Sequence, residues 1–173
     1  TNRAANMVSQ MMSGSLPLQW ANVEATIYGF DMEWGVALGQ QWSLYGIVNY
    51  IRGERDDIDD DLYRIAPPNT TLGLRYQAQR WTASLETVAY RRQDKVSETN
   101  GEAETPGYAV VTFGSQFTLV DDLTLSFGID NLLDRRYSDH LNGINRARNE
   151  DIALGEKLPS WGRNAYARLR WDF

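Results

Sequence analysis

The sequence predicts an all-β fold, an antiparallel transmembrane β-barrel segment of about seven long strands. Apolar residues alternate with polar or small ones over a dozen positions at a time, whereas strands of soluble sheets typically have ~5 to 6 residues. Short turns alternate with long polar segments as the connections between strands. This is typical of barrels with short turns on one side of a membrane and long loops on the other. The 173 residues include six Trp and nine Tyr. Such a high aromatic content is expected where Trp and Tyr line the two membrane–water interfaces.

The first predicted hairpin turns at Gly39 and Gln40. Before it, apolar side chains occupy every second position: Tyr28, Phe30, Met32, Trp34, Val36 and Leu38. After it, the same alternation continues through Trp42, Leu44, Gly46, Val48 and Tyr50. Because successive side chains of a strand point to opposite faces, one face is apolar and the other is small or charged.

Two further hairpins and a final strand repeat this pattern. The second hairpin places Leu72, Leu74 and Tyr76 before a turn near Gln79, and Trp81, Ala83, Leu85, Thr87 and Ala89 after it. The third places Ala109, Val111, Phe113 and Phe117 before a turn at residues 120–122, and Leu123, Leu125, Phe127 and Ile129 after it. The last strand carries Ala165, Ala167, Leu169, Trp171 and Phe173 on one face.

Long polar segments at residues 1–19, 52–68, 92–107 and 138–161 are expected as extracellular loops. Trp34, Trp42, Tyr76 and Trp81 lie near the short turns, which predicts an aromatic girdle at the periplasmic interface. No apolar run is long enough for a membrane-spanning helix. The absence of Cys excludes disulfides and cysteine chemistry, and a net charge of −6 argues against nucleic acid as a partner.

The C-terminal third resembles the TonB-dependent outer-membrane receptors. Gly128 to Tyr137, which contains Asn131, Leu132, Asp134 and Tyr137, is similar to the "G-V-x-N-L-F-D-K-x-Y" segment of that family. Residues 159–164, which contain Gly162 and Arg163, are similar to its "P-G-R" stretch, although two residues separate the proline from the glycine here. The strand from Asn22 resembles its "N-V … G-x-E" strand. Phe173 resembles the terminal aromatic signal that the barrel-assembly machinery reads.

The resemblance implies the last part of a 22-stranded barrel in the bacterial outer membrane, plugged by a globular domain and energised by TonB. Residues 1–173 would then be one domain, the C-terminal barrel portion of a receptor, whose plug and other strands belong to the same or another chain. The implied function is active uptake of a metal chelate, a ferric siderophore first, with copper or cobalamin as further possibilities. We expect neither enzymatic activity nor a cofactor.

Candidate ligand residues lie in the long loops. Met7, Met11 and Met12 offer soft thioethers that suit Cu(I), and His140 could join them if the loops converge; loop packing is the competing interpretation. An acidic run at Asp56, Asp57, Asp59, Asp60 and Asp61 could hold a hard cation, but we expect a solvated loop tip or one bridged by divalent ions to lipopolysaccharide.

Charged residues between the apolar positions are expected to face the lumen and to contact either a plug or solvent: Asp31, Glu33, Arg75, Glu86, Arg168 and Arg170. Two other architectures remain open on the sequence. One is a small eight-stranded structural or adhesive barrel, in which residues 1–19 add a strand, and the other is a soluble β-sandwich binding module.

Overall fold

The computed structural model describes residues 2–11, 19–148 and 151–173, and they form one antiparallel sheet of eight strands. The strands are β1 (Asn2–Met11), β2 (Gln19–Ala37), β3 (Trp42–Arg55), β4 (Asn69–Gln77), β5 (Trp81–Tyr90), β6 (Tyr108–Val120), β7 (Leu123–Asp130) and β8 (Asn164–Trp171). Each strand pairs only with its neighbours in the chain. Within the described ranges, no helix is long and apolar enough to cross a membrane.

The all-β antiparallel fold is confirmed, but the number of strands is one higher than the sequence predicted. β1 lies in the segment expected as the first long loop. Its pairing with β2 shifts register between Ala4 and Met7, and a bulge of this kind interrupts the two-residue period of a strand. Eight strands could close an antiparallel barrel, yet β1 and β8 make no contact with each other in the described chain. The sheet is therefore open at both edges.

The strand register separates an apolar face from a polar face. Phe30 pairs with Tyr50 and Val36 with Leu44 across β2 and β3, and the apolar residues of the later strands continue the same face. Many of these side chains are exposed, such as Phe30 at 57% and Met32 at 51%. A sheet that exposes such residues along its whole length is suited to contact lipid.

The two ends of the sheet differ as predicted. Strands β2 to β7 are joined in pairs by short turns near residues 39, 79 and 121, whereas the opposite end carries loops at residues 56–68, 91–107 and 131–163. On the apolar face near the short turns, Tyr76 contacts both Trp42 and Trp81, with ring centroids 4.9 Å apart in each pair. These three rings form a girdle at one height of the sheet.

The loop of residues 56–68 folds back over the polar face and, together with β2, forms the small buried apolar cluster of the described chain. Val23, Ala25 and Leu62 are buried, with Ile27 and Ile65 packed against them. A Cβ added at Gly53 would lie 2.7 Å from a methyl group of Leu62. A glycine at this position of β3 therefore allows the loop to approach the strand closely.

Candidate functional site

The polar face carries all six charged residues that the sequence placed there. The register from β2 to β8 puts them on the same side of the sheet: Asp31, Glu33, Arg75, Glu86, Arg168 and Arg170. The acids of β2 lie toward one edge of the sheet and the arginines of β8 at the other edge. That these side chains contact a plug stays a prediction.

A tyrosine lies flat on this face at the centre of the sheet. Tyr45, Gly73 and Glu86 are paired side by side on β3, β4 and β5. A Cβ at Gly73 would lie only 2.0 Å from the Tyr45 ring, so the ring covers the glycine backbone. The Tyr45 hydroxyl donates to a Glu86 carboxylate oxygen at 2.8 Å, and the Arg75 guanidinium lies 5.2 Å from the ring centre. The contact is a cation–π interaction.

A second tyrosine repeats this arrangement near the edge. A Cβ at Gly128 would lie 2.5 Å from the Tyr166 hydroxyl oxygen, so this side chain also lies along the sheet. Beyond it, small residues leave a shallow trough on the polar face, with Arg75 and Arg168 among its lining residues. The paired residues that form this row are Tyr166, Gly128, Gly114, Ser84 and Arg75.

Glu102 ties the three long loops of residues 56–68, 91–107 and 131–163 together. One carboxylate oxygen accepts a hydrogen bond from the Arg64 backbone amide at 3.0 Å and lies 3.1 Å from His140 Nε2. The other accepts from the Ser97 amide at 3.0 Å. Burial alone would raise the pKa of Glu102, but hydrogen bonds from His140, Ser97 and Arg64 outweigh it and hold the pKa below its usual value.

His140 is enclosed in this network. Its side chain is 1% exposed and that of Glu102 is 4% exposed. Its Nδ1 lies 2.9 Å from the Thr105 hydroxyl, so both ring nitrogens have partners within the protein. The sequence identified His140 as a possible metal ligand, whereas its surroundings are those of a residue that links two loops.

The described backbone does not bring Met7 or Met11 to His140. Met7 and Met11 belong to β1, which forms one edge of the sheet, and His140 follows β7 near the other edge. Met12 lies outside the described residues. Within residues 2–11, 19–148 and 151–173, no group of three His, Asp or Glu side chains is arranged to hold a metal ion.

The acidic run is divided among separate contacts. Asp60 is folded inward, where it accepts hydrogen bonds from the Ser97 hydroxyl at 3.0 Å and the Glu98 amide at 2.8 Å. Asp61 pairs with Arg52, and burial raises the pKa of its carboxyl group. Only part of the run therefore behaves as the solvated loop tip that the sequence predicted.

The residues of the family motif form the corner between β7 and β8. The Asn131 side chain donates to the Arg135 and Trp161 carbonyl oxygens at 2.9 and 3.3 Å and accepts from the Arg135 amide at 2.8 Å. An Asp134 carboxylate oxygen accepts from the Arg163 amide at 2.9 Å. Asn131 and Asp134 both have positive φ, 49° and 53°, a conformation that Asn and Asp tolerate better than most residues. The motif residues therefore stabilise the corner between β7 and β8 through hydrogen bonds to the backbone.

Three stacked tyrosines adjoin this corner, and the sequence did not predict that they would stack. Tyr108 stacks on Tyr90 and on Tyr137, with ring centroids 4.8 and 4.4 Å apart. The Tyr108 hydroxyl donates to Asp139 at 2.7 Å. Tyr90 and Tyr108 are paired on β5 and β6, but Tyr137 comes from the following loop, and no periodicity indicates where a loop side chain will fold.

The remaining motif residues also have structural positions. The Leu132 amide continues the ladder by donating to the Val111 carbonyl at 2.7 Å. A Cβ at Gly162 would lie 3.3 Å from Asp134, so this glycine allows the close approach of the two segments. Phe173 follows β8 with its ring centroid 6.5 Å from that of Trp171. Its role as an assembly signal stays a prediction.

An open antiparallel sheet with one apolar face, an aromatic girdle and long loops at one end defines the wall of an outer-membrane β-barrel. The family described as TonB dependent receptor-like, beta-barrel matches residues 1–132, and the chain belongs to this family. The expected resemblance and the expected place in the bacterial outer membrane are confirmed. Members of the family are transporters and not enzymes.

Solved structures share the fold at low sequence identity. The copper transporter OprC matches with a TM-score of 0.90 and 22% identity over 98% of this chain and 27% of that one. A G324V mutant of the ferric enterobactin receptor PfeA from Pseudomonas aeruginosa matches with a TM-score of 0.72 and 20% identity over 99% and 27%. The ferric citrate transporter FecA matches with a TM-score of 0.70 and 20% identity over 88% of this chain and 25% of that one.

This chain therefore spans about a quarter of the length of these structures. No curated protein matches it. The family match, together with a single sheet in the described chain, excludes the soluble two-sheet sandwich.

Proposed function

We propose that residues 1–173 form the C-terminal part of the barrel of a TonB-dependent receptor that imports a metal chelate, with a ferric siderophore as the first substrate class. The plug domain and the other strands come from the rest of the receptor, in the same or another polypeptide. One observation carries the proposal: an open eight-stranded sheet that superposes on a quarter of larger metal and siderophore transporters.

The polar face is the proposed docking wall for the plug. Asp31 and Glu33 give one side of the wall negative charge, while Arg168 and Arg170 give the other side positive charge. A plug with complementary charge would be held in one orientation by this asymmetry, because like charges brought together inside a lumen are unfavourable. TonB would act on the receptor through that plug.

Other partners follow from the position of the chain in the membrane. Phe173 at the end of the final strand is proposed to be read by the barrel-assembly machinery. The apolar face contacts lipid, and the long-loop end contacts lipopolysaccharide. We propose no nucleic-acid partner.

The test is uptake by cells that lack the receptor gene compared with cells in which it is restored. We expect one ferric siderophore of a chemically varied panel to enter only the restored cells, and to stop entering when TonB is removed. Free copper and cobalamin are measured in parallel. Absence of TonB-dependent uptake of every compound would contradict a role in transport.

Copper is a second candidate, favoured by the TM-score of 0.90 to the copper transporter OprC against 0.72 to the ferric enterobactin receptor. Because both nitrogens of His140 are occupied, Met7, Met11 and Met12 would have to bind Cu(I) through their thioethers alone. Replacing these three methionines by Leu should abolish copper uptake if copper is the substrate. Met32→Leu, on the apolar face, is the matched control.

A further inference from the structure

A cleft rich in cations lies at the long-loop end of the sheet. It has a volume of about 420 Å³, and four basic side chains contribute to its lining: Arg52, Arg91, Arg92 and Lys95. Asp94 is the acidic residue in the same lining. The cleft lies over β3 to β5, in the interior of the sheet. Further strands added at either edge of the sheet would therefore leave it uncovered.

An apolar groove adjoins this basic cleft on its membrane side. Its lining includes Phe30, Val48, Tyr50 and Ala89. The basic cleft and the groove share Tyr50, Pro68 and Arg91, so they form one continuous depression. One end is cationic and the other is apolar.

The backbone fixes the direction of Arg91. Its amide donates to the Pro68 carbonyl at 2.9 Å and extends the β4–β5 ladder by one pair. Since faces alternate along a strand, Arg91 projects to the same side as Ala89, which is the apolar face. It therefore points outward, away from the polar face.

Aromatic rings mark the height of the membrane boundary beside this depression. Tyr50 contacts Phe30 and Tyr28, with centroids 5.7 and 6.5 Å apart. Aromatic residues of barrels concentrate at the interfaces, and basic residues just beyond them meet anionic head groups. The cations of the cleft thus lie at the level of head groups, with the groove at the level of acyl chains.

Two of the four cations form no close ion pair among the described residues. Arg52 pairs with Glu54 and Asp61, and Arg92 pairs with Glu104. Arg91 and Lys95 are both exposed and form no ion pair within the described residues. Lys95 also lies near the carboxylates of Glu54 and Asp61, with which it interacts electrostatically. Because both side chains are exposed, an external anion can reach them.

We propose that this depression binds lipopolysaccharide of the outer leaflet, with Arg91 and Lys95 contacting a phosphate group and the apolar groove receiving an acyl chain. Charge complementarity selects the phosphate, and the continuous groove selects a lipid over a free anion. The proposal rests on the position of the chain in the outer membrane and not on the transport function.

The test measures binding of purified lipopolysaccharide to the delipidated full-length receptor in detergent. Arg91→Gln together with Lys95→Gln should weaken binding roughly 30-fold, because each cation near an anionic lipid surface contributes about one factor of five. The control is Arg146→Gln with Arg148→Gln, which removes two exposed charges from the loop between β7 and β8. Unchanged binding in the first variant, or equal loss in both, would overturn the site.

Two further arms separate the phosphate from the acyl chain. Ala89→Trp should fill the groove and weaken binding, whereas Ala83→Trp, on the same strand and face but near the short turns, should not. Lipid A stripped of its phosphates should bind weakly. Tight binding of the stripped lipid would overturn the phosphate contact, and displacement of lipopolysaccharide by equimolar inorganic phosphate would overturn the lipid contact.

Discussion

Gly73 provides a sharp test of the polar face at the residue scale. Gly73→Ala places a Cβ where the Tyr45 ring now lies, so the ring must move and its hydrogen bond to Glu86 is lost. We expect the free energy of unfolding of the receptor to fall by ~1 to 3 kcal/mol, the usual effect of overpacking.

Gly114→Ala is the matched control for this substitution. It also lies on the polar face, but the nearest atom to its added Cβ is the Ser84 hydroxyl at 3.5 Å, an ordinary contact. Urea titrations followed by heat-modifiable gel mobility measure both variants. Equal destabilisation of the two would show that the flat tyrosine is not the cause.

Glu102 provides a second residue-scale test. Glu102→Gln replaces one carboxylate oxygen by an amide NH2 group. This group then faces a backbone N–H donor, of Arg64 or of Ser97, and cannot accept its hydrogen bond. We expect the free energy that holds the loops closed to fall by ~2 to 3 kcal/mol, because a buried donor loses its acceptor. Hydrogen exchange at the Arg64 and Ser97 amides should become faster.

The comparison for Glu102 is Glu98→Gln, which changes an exposed carboxylate on the same loop. Its exchange rates at Arg64 and Ser97 should match those of the unchanged receptor. If Glu102→Gln exchanges no faster than Glu98→Gln, the carboxylate does not hold the three loops together.

At the scale of the elements, the loops should separate in acid. The pKa of Glu102 is held below its usual 4.5 in the folded protein. Its ionised form therefore stabilises the loops fully above that value, and this contribution is lost as the pH falls through the lowered pKa. Limited proteolysis between neutral and acidic pH should show loop cleavage rising below pH 4.5.

Asp60, whose pKa is also lowered by hydrogen bonds against the effect of its burial, titrates in the same direction. The Glu102→Gln variant isolates the contribution of Glu102, because it should be cleaved already at neutral pH. If Glu102→Gln shows the same rise in loop cleavage with acid as the unchanged receptor, then other groups are responsible for that rise.

The two ends of the strands should be accessible from opposite sides of the membrane. Asp59 lies exposed in the loop after β3, and Gly39 lies in the turn after β2. A membrane-impermeant thiol reagent on intact cells should label Asp59→Cys and leave Gly39→Cys unlabelled until the outer membrane is opened. The reverse pattern would invert the orientation.

The sequence predicted those elements in which a two-residue period is unbroken. β2 to β8 follow from alternation. The segment at Asn131 was marked only by its resemblance to a family motif, which did not predict the corner. β1 was missed because a bulge interrupts its period. Glu102 was missed because its partners Arg64 and His140 come from loops distant in the chain, and nothing local in the sequence indicates which loops will meet.

At the scale of the whole molecule, the open sheet predicts a larger native protein. Paired edges are needed in a membrane because unpaired backbone groups are costly in lipid. We expect the native chain in outer membranes to have an intact mass several-fold above 19.7 kDa. A mass near 19.7 kDa, with heat-modifiable mobility and no second chain, would instead support the small closed barrel.

The two flat tyrosines have a consequence for the bore of the complete barrel. Tyr45 and Tyr166 are large side chains, yet each lies along the sheet over a glycine and does not project from it. The inner surface therefore has low relief around Gly73, Gly128 and Gly114. Here the path of the backbone determines the free width of the channel. Few side chains would obstruct a plug or a solute that moves along this part of the polar face.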